Sequence, residues 1–391
     1  MSKIVIVGAA RTAVGTFGGT LKDIRTVDLG ITAVSEALKW AGVSPSQVDD
    51  VIMGTCVTTT ESSQQARMVA LGAGMPFEVH AVTINKNCSS GMYSIFLAAQ
   101  EIKTGDADIV VAGGMENMSK APYMLDKARW GYRMGEGKLL DGATLYCPYN
   151  KDHIGITAEN LAEQYNISRL EQDEYAYQSQ MKAVKAIESG RFVDEIVPIT
   201  IPQRKGDPIV FAQDEFPKPA TTMEGLAKLP PFIKADGTIT PGNSSGLNDG
   251  AAAVVLMTEE KAAELGLKPL AEIVSYAVGG VDPKVMGIGP VPSSRKALDK
   301  AGLTVDDLDL IELNEAFAAQ AIAVNKDMGW DLAKLNVNGG AIALGHAVGS
   351  SGARITVTLL YEMMKRQSTY GLATLCVGGG EGTTLILKRM V

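Results

Sequence analysis

A stretch of this chain occurs twice, and the duplication narrows the possible folds more than any other feature. Ala41-Gly42-Val43 lies seven residues before Val48-Asp49-Asp50-Val51-Ile52-Met53. The arrangement returns 260 residues later, where Ala301-Gly302-Leu303 precedes Leu308-Asp309-Leu310-Ile311-Glu312-Leu313. Each copy reads as a helix stopped at Ala-Gly, then an Asp-rich entry to a buried strand. A second match follows. Ser89-Ser90-Gly91 opens a helix that leads into ADIVVAGG, and Ser350-Ser351-Gly352 opens one that leads into LATLCVGGG. Two copies of one α/β unit therefore flank the middle of the chain.

The remaining patterns fit that plan. KIVIVGAA reads as a buried strand, followed by a helix near Val27 to Trp40, and DDVIMGT as a second strand. Met92, Ile95, Phe96, Ala99 and Ile102 recur at helical spacing. The expected class is α/β, with two similar halves packed as α-β-α-β-α layers and an inserted loop domain. Expected boundaries are 1–118 with 246–267 for the first half, 119–245 for the insertion and 268–391 for the second half. The insertion is richer in Pro, Met and charge. Its one strong helical stretch, near Thr157 to Ser189, is expected to lie in a cover over a site between the halves. A chain of 391 residues is too long for one ordinary core, which agrees with two or three domains.

A net charge of −8 disfavours a general nucleic-acid role, although local cations or N–H groups could still hold a small anionic substrate. No apolar run approaches the roughly 18–20 residues that span a bilayer. The apolar run Ile4 to Val7 is shorter than a secretory core and reads as a first strand, so a cytoplasmic protein is expected. Cys56, Cys88, Cys147 and Cys376 form no CxxC pair and are expected as free thiols, with no zinc-spaced cluster and no metal.

Three segments join reactive side chains to Gly-rich backbone. In NKNCSSGM, Cys88 sits between a strand end and a helix start, where the helix dipole is expected to lower its pKa. On this segment alone, a small buried core residue explains Cys88 as well as a nucleophile does. His346 lies in NVNGGAIALGHAVGSSGAR, between Gly-rich turns where a mere packing role is disfavoured, and a loop histidine bonded to backbone is the lesser alternative. Cys376 ends a strand in ATLCVGGGEGT, whose glycines could present N–H groups to an oxyanion. A dinucleotide fingerprint fails there, because a strand and not a helix follows. Asn314, after the second-copy strand, could orient a water or a carbonyl, or simply cap a helix. The repeat puts the Cys88 and His346 turns at equivalent places, which pairs a thiol with a base.

NKNCSSG, NEAFAAQ, GGAIALGHAVGSSG and CVGGGEG, with HIGITAEN and GNSSGLNDGAAA, together resemble the thiolases, from RTAVGTFGG to the last strand. The members that join two acetyl groups are the most similar. The resemblance implies reversible Claisen condensation of two acetyl-CoA to acetoacetyl-CoA and CoA. It implies coenzyme A thioesters as substrates, no tightly bound cofactor, and a homodimer or homotetramer. It implies Cys88 as the acyl carrier, His346 as its base and oxyanion donor, and Asn314 as holder of a water in that hole. Cys376 would move the α-proton, and Gly378 with the Cys88 N–H would form a second oxyanion hole. Ser245 and His153 would contact the pantetheine arm, Phe317 would wall the pocket, and Lys218 would meet the nucleotide end. Two positions leave the family pattern: Ala347 stands where proline usually follows the histidine, and Ile154 where methionine is common. The first predicts a less rigid loop and the second leaves acyl-chain length open. Direction, biosynthetic or degradative, is open too. A degradative 3-ketoacyl-CoA thiolase of broader range is the nearest alternative. A ketoacyl synthase is disfavoured, since it uses one Cys and two downstream His. An inactive acyl-CoA-binding relative would have no need to keep Cys88, His346 and Cys376 together.

Overall fold

The computed structural model describes all residues except 1, 58–60, 62, 145, 148, 150 and 391. Nine strands build the main path of one sheet: β1 (Ile4–Thr12), β2 (Asp50–Gly54), β3 (His80–Ile84), β4 (Val110–Asn117), β5 (Asn248–Thr258), β6 (Ala271–Gly280), β7 (Leu310–Leu313), β8 (Tyr370–Val377) and β9 (Glu381–Arg389). The helices that matter here are α1 (Thr26–Ala41), α2 (Ser90–Thr104), α3 (Gly155–Gln164), α4 (Arg169–Glu188), α5 (Pro290–Ala301), α6 (Ala318–Met328) and α7 (Val348–Arg366).

The strand order is β7-β8-β9-β6-β1-β5-β4-β2-β3. In the first half β1, β5 and β4 pair antiparallel, and β4, β2 and β3 pair parallel. In the second half β6, β9 and β8 pair antiparallel, and β8 and β7 pair parallel. The duplication is therefore one of topology. Among the described residues, the sheet itself passes from one half to the other through two residue pairs, Val5 with Glu272 and Ile6 with Ala271.

Strand alternation sorts the core into layers. Val5 and Val7 face α1 with Val51, Met53 and Val111, whereas Ile4 and Ile6 face the opposite way with Ile52, Ala112 and Val254. That second cluster also holds Met92, Ile95 and Phe96 of α2, Ile355 and Leu359 of α7, and Leu375 and Leu385 from the other half. On the far side, Leu298 of α5 and Val324 of α6 pack on Ile311, Leu372 and Ile386. The expected α-β-α-β-α stack is present, with α2 and α7 as its middle layer.

The repeat extends to single hydrogen bonds. Asp49 accepts the N–H groups of Asp108 and Ile109, and Asp309 accepts those of Thr369 and Tyr370. Gly42 and Gly302 end α1 and α5 with φ of 73° and 65°, a left-handed conformation that glycine adopts at little cost. The expected long helix over 157–189 is instead two, α3 and α4. Asn166 at φ 50° ends the first, and Ser168 with Glu171 forms a capping box that restarts the second. The segment between β4 and β5 is anchored to the first half by buried Arg11, which holds Glu195 at 2.6 Å and Asp214 at 2.7 Å. Among the described residues, no helix is long and apolar enough to cross a membrane.

The middle layer depends on two glycines. A Cβ on Gly352 would stand 2.6 Å from the Met92 nitrogen, and one on Gly91 would stand 2.9 Å from both the Ala353 nitrogen and the Gly349 oxygen. Gly352→Ala should destabilise the protein by about 1–3 kcal/mol in chemical denaturation, the usual cost of overpacking. Gly280→Ala, with open space where the Cβ would go, should stay within about 0.5 kcal/mol of the parent.

Candidate active site

Strand ends of both halves meet at one place. The turn after β3 carries Cys88 into α2, and the turn before α7 carries His346. In the first turn Asn87 is left-handed at φ 48°, which asparagine tolerates better than most residues. The Asn85 side chain accepts the Asn87 N–H at 3.0 Å, and Ser90 Oγ accepts the Lys86 N–H at 2.8 Å. Asn87 Nδ2 reaches across the halves to the Gly378 oxygen at 2.8 Å, and Lys86 pairs with Glu381 beyond the glycines.

The second turn is held from the β5 side. Asn248 Oδ1 accepts the His346 N–H at 2.9 Å, and Leu247 bridges His346. Gly345, at φ 96°, is required here because a Cβ would meet the Asn248 amide at about 2.5 Å. Ala347 has φ −71°, already in the range that a proline ring would impose. The looser loop expected from the missing proline is thus not seen in the backbone angle. Glu116 closes the arrangement, its carboxylate accepting N–H groups from Gly349 at 2.8 Å and Cys56 at 2.9 Å.

Between the turns is a cavity of about 310 Å³. Cys88, His346, His153, Ile154, Ser245 and Phe317 line it together, although the sequence scatters them over 259 positions. Phe17, Phe232, Leu247, Met286 and Val348 complete its mainly apolar wall. Those five were not singled out from the sequence. Four lie in turns or at element ends and Met286 lies within the short 3-10 helix Pro283–Ile288, without the periodicity that marks a core face. Ser245 is held by its N–H on the Ala316 oxygen at 3.0 Å. The His153 ring stands edge-on to Tyr146 and Phe232, and its Nδ1 accepts the Gly155 N–H. Ile154 lies behind Gly378, with its Cδ1 3.6 Å from where a Cβ would be.

Cys376 is fully buried and close enough to Cys88 for that thiol to oppose its ionisation. The Gly378 and Cys88 N–H groups both lie close enough to the Cys88 sulfur to favour its thiolate. Asn314 is fully buried, its N–H on the Thr374 oxygen, and both polar atoms of its side chain lack a protein partner. Such an amide fits a bound water or a ligand oxygen. Lys218 is exposed and outside the lining. Its ammonium sits 5.2 Å over the Phe216 ring, which in turn packs on Gly246 at the cavity. Among the described residues, no three or more His, Cys, Asp or Glu side chains are placed to hold a metal ion.

Electrostatics correct one expectation. The Cys88 thiol is not lowered by the helix N-terminus. Burial pushes it up to about 11, outweighing the Gly378 and Cys88 N–H groups, and nearby Glu116 adds to the rise. Burial pushes Cys376 up further. His346 is lowered to about 4, first by burial and then by Arg354. The resting pair is therefore neutral thiol and neutral imidazole, and nucleophilic attack on a substrate needs proton transfer to the histidine.

The linkage sign follows from that depression. Between pH 6.5, the ordinary histidine value, and about 4, the unfolded chain takes a proton that folded His346 refuses. Stability should drop as pH is lowered through that window, by up to about 3 kcal/mol from this group. In urea titrations at stepped pH, that part of the slope should be missing in His346→Asn.

The chain matches the family model described as "Thiolase, N-terminal domain" over residues 4–260 and that described as "Thiolase, C-terminal domain" over 267–389. It is 58% identical to an acetyl-CoA acetyltransferase of Syntrophomonas wolfei, with 99% of each chain covered. It is 55% identical to one of Pseudomonas aeruginosa over the whole of both chains. Among solved structures, the Bacillus anthracis acetyl-CoA acetyltransferase superposes with a TM-score of 0.98 at 50% identity, covering 100% of this chain and 99% of that one. Human mitochondrial 3-ketoacyl-CoA thiolase gives 0.97 at 44% identity, with 99% of each chain covered.

Proposed function

The chain belongs to the thiolase family, and on that premise we propose that it catalyses reversible condensation of two acetyl-CoA to acetoacetyl-CoA and CoA. The observation that carries this reading is the cavity shared by Cys88 and His346, with Cys376 buried beside the nucleophile. The names of relatives more than half identical over the full chain support the acetyl substrate.

Proton accounting assigns the roles. His346 takes the Cys88 proton as the sulfur attacks the acetyl-CoA carbonyl. The Cys88 and Gly378 N–H groups, both near that sulfur, stabilise the tetrahedral oxyanion. As the intermediate collapses, the departing CoA thiolate takes the Cys376 proton. The site then holds acyl-Cys88, a Cys376 thiolate and a His346 imidazolium, and the two ionised groups offset each other. A second acetyl-CoA gives its α-proton to Cys376. The imidazolium and a water on Asn314 stabilise the enolate oxygen. The enolate carbon attacks the acyl group, and Cys88 leaves as thiolate and recovers its proton from His346. No net proton is gained or lost over the cycle. Ser245 and His153 would flank the pantetheine arm, with Phe317 as an apolar wall and Lys218 outside the mouth towards the nucleotide. Segment 119–245 supplies much of this pocket and is proposed as the substrate-covering unit. No step calls for a resident cofactor.

The proposal extends to assembly and setting. The paired strands Tyr123–Leu125 and Leu139–Asp141 carry an apolar tip, on which Trp130 is 85% and Met134 96% exposed. Apolar patches of this kind mark contact surfaces. We assign them to a homotetramer in the reducing cytoplasm, where the four cysteines stay free. Trp130→Ser with Met134→Ser should lower the mass seen by sedimentation and leave acylation of Cys88 intact.

The decisive experiment is acyl trapping. With radiolabelled acetyl-CoA, the parent should carry acetyl on Cys88 and release one CoA per site, while Cys88→Ala should carry none and lose at least about 10³ in rate. Label on Cys376 would overturn the roles. Absence of thiol consumption with acetoacetyl-CoA and CoA would favour an acyl-CoA-binding protein. Faster turnover of longer 3-ketoacyl-CoA than of the C4 substrate would favour the broader thiolase.

A further inference from the structure

His346 Nδ1 lies 2.6 Å from Ser351 Oγ, and both residues are buried. Ser351 is in the first turn of α7, and its Oγ is also 2.9 Å from the Ala347 oxygen, one turn back. Serine in a helix commonly donates to that carbonyl. A hydroxyl has one proton. If it goes to Ala347, the bond to the ring can form only with Nδ1–H as donor. The other ring nitrogen, Nε2, is buried without a protein partner, in a side chain that lines the cavity shared with Cys88.

We propose that Ser351 is the positioning residue that keeps the His346 proton on Nδ1, so that Nε2 alone exchanges protons with Cys88 and the substrate oxygen. The inference rests on the roles given above to Cys88 and His346. In the resting enzyme Nδ1–H donates to Ser351 and Nε2 presents a lone pair as base. In the acyl-enzyme both nitrogens carry protons, and the same Nδ1–H bond persists while Nε2–H donates to the enolate. Ser351 can accept throughout, because its own proton has a fixed destination on Ala347. No bond at Nδ1 breaks during the cycle, and the ring keeps its orientation. The backbone adds a second restraint, since Asn248 holds the His346 N–H. Other groups bearing on the ring are Arg354 on the same helix, the Cys88 thiol across the cavity, and Glu116 on β4, which reaches the Gly349 N–H.

The test compares the parent with Ser351→Ala and Ser351→Thr in the intact enzyme. Without the acceptor, the Nε2–H tautomer gains population and Nε2 cannot act as base. Ser351→Ala should form acyl-Cys88 about 10- to 100-fold more slowly, a part of the roughly 10²–10⁴ that a positioned base supplies. KM for acetyl-CoA should stay within about twofold, because the hydroxyl faces the ring and not the substrate. The pH dependence of Cys88 alkylation by iodoacetamide should shift as well. Ser351→Thr, which keeps a hydroxyl able to bond the same carbonyl, should restore most of the rate. Nitrogen-15 spectra of the three labelled histidines, assigned with a His346→Asn sample, should show protonated Nδ1 and bare Nε2 in the parent. A folded Ser351→Ala enzyme with the parental rate and alkylation profile would overturn the proposal, as would bare Nδ1 in the parent spectrum. If Ser351→Ala does not fold, the parent spectrum and the threonine variant still decide. A parent that never acylates Cys88 would remove the proposed reaction, whereas the tautomer would still be read directly.

Discussion

The crossing of α2 and α7 at Gly91 and Gly352 is the contact on which the rest of the molecule depends. Each helix is the middle-layer helix of its half, and each begins at a turn that carries a reactive residue. Helix axes that approach until a Cβ would strike the other backbone have no room for any side chain. The contact is self-complementary: Gly91 meets Gly349 and Ala353, and Gly352 meets Met92. These are equivalent positions of the repeat, so a quasi-twofold relation puts the two helix starts side by side. The cavity between Cys88 and His346 follows from that geometry.

Burial gives this site its chemistry and also sets its conditions. A thiol at an exposed helix start would lean towards thiolate, but Cys88 pays the desolvation of a closed cavity and stays protonated. The same burial keeps His346 neutral. Neither group is reactive alone in the resting state. In the proposed reaction, a thioester that supplies an oxyanion between the Cys88 and Gly378 N–H groups makes charge separation affordable just where attack occurs. A neutral resting pair also protects the thiol from adventitious electrophiles, since the thiolate is the reactive form.

Much of the fold was legible because the duplication is written in residues with local duties. Gly42 and Gly302 stop helices, and Asp49 and Asp309 tie strand entries, so they recur at a fixed offset. The apolar runs of β1 and β4 are buried on both faces, which makes them easy to see. The break between α3 and α4 was also written, in the Ser168–Glu171 capping box, but helical periodicity on either side hid it. Within the site, the residues in motifs were brought together, but of the apolar wall only Phe317 and Ile154 were singled out. Phe17 and Phe232 come from loops and Met286 from a short 3-10 helix, and these meet only in the folded chain. The Cys88 shift was misread because a sequence shows the helix start but not the burial that outweighs it.

The two active turns are equivalent in topology and unlike in content, and that difference explains how a doubled fold makes a single site. Aligning Ser89 with Ser350 puts Cys88 opposite Gly349 and His346 opposite Asn85. The thiol has a glycine as its counterpart, and the imidazole an amide. Where the second half lacks the thiol, the Gly349 N–H is given to Glu116 of the first half. Where the first half lacks the imidazole, Asn85 accepts the N–H of left-handed Asn87, and Asn87 grips the Gly378 carbonyl of the second half. Each half thus uses the non-catalytic member of its turn to hold the other half's contribution in place. A symmetric pair of thiols or of imidazoles would have placed like groups across the axis, with no base for a nucleophile to meet.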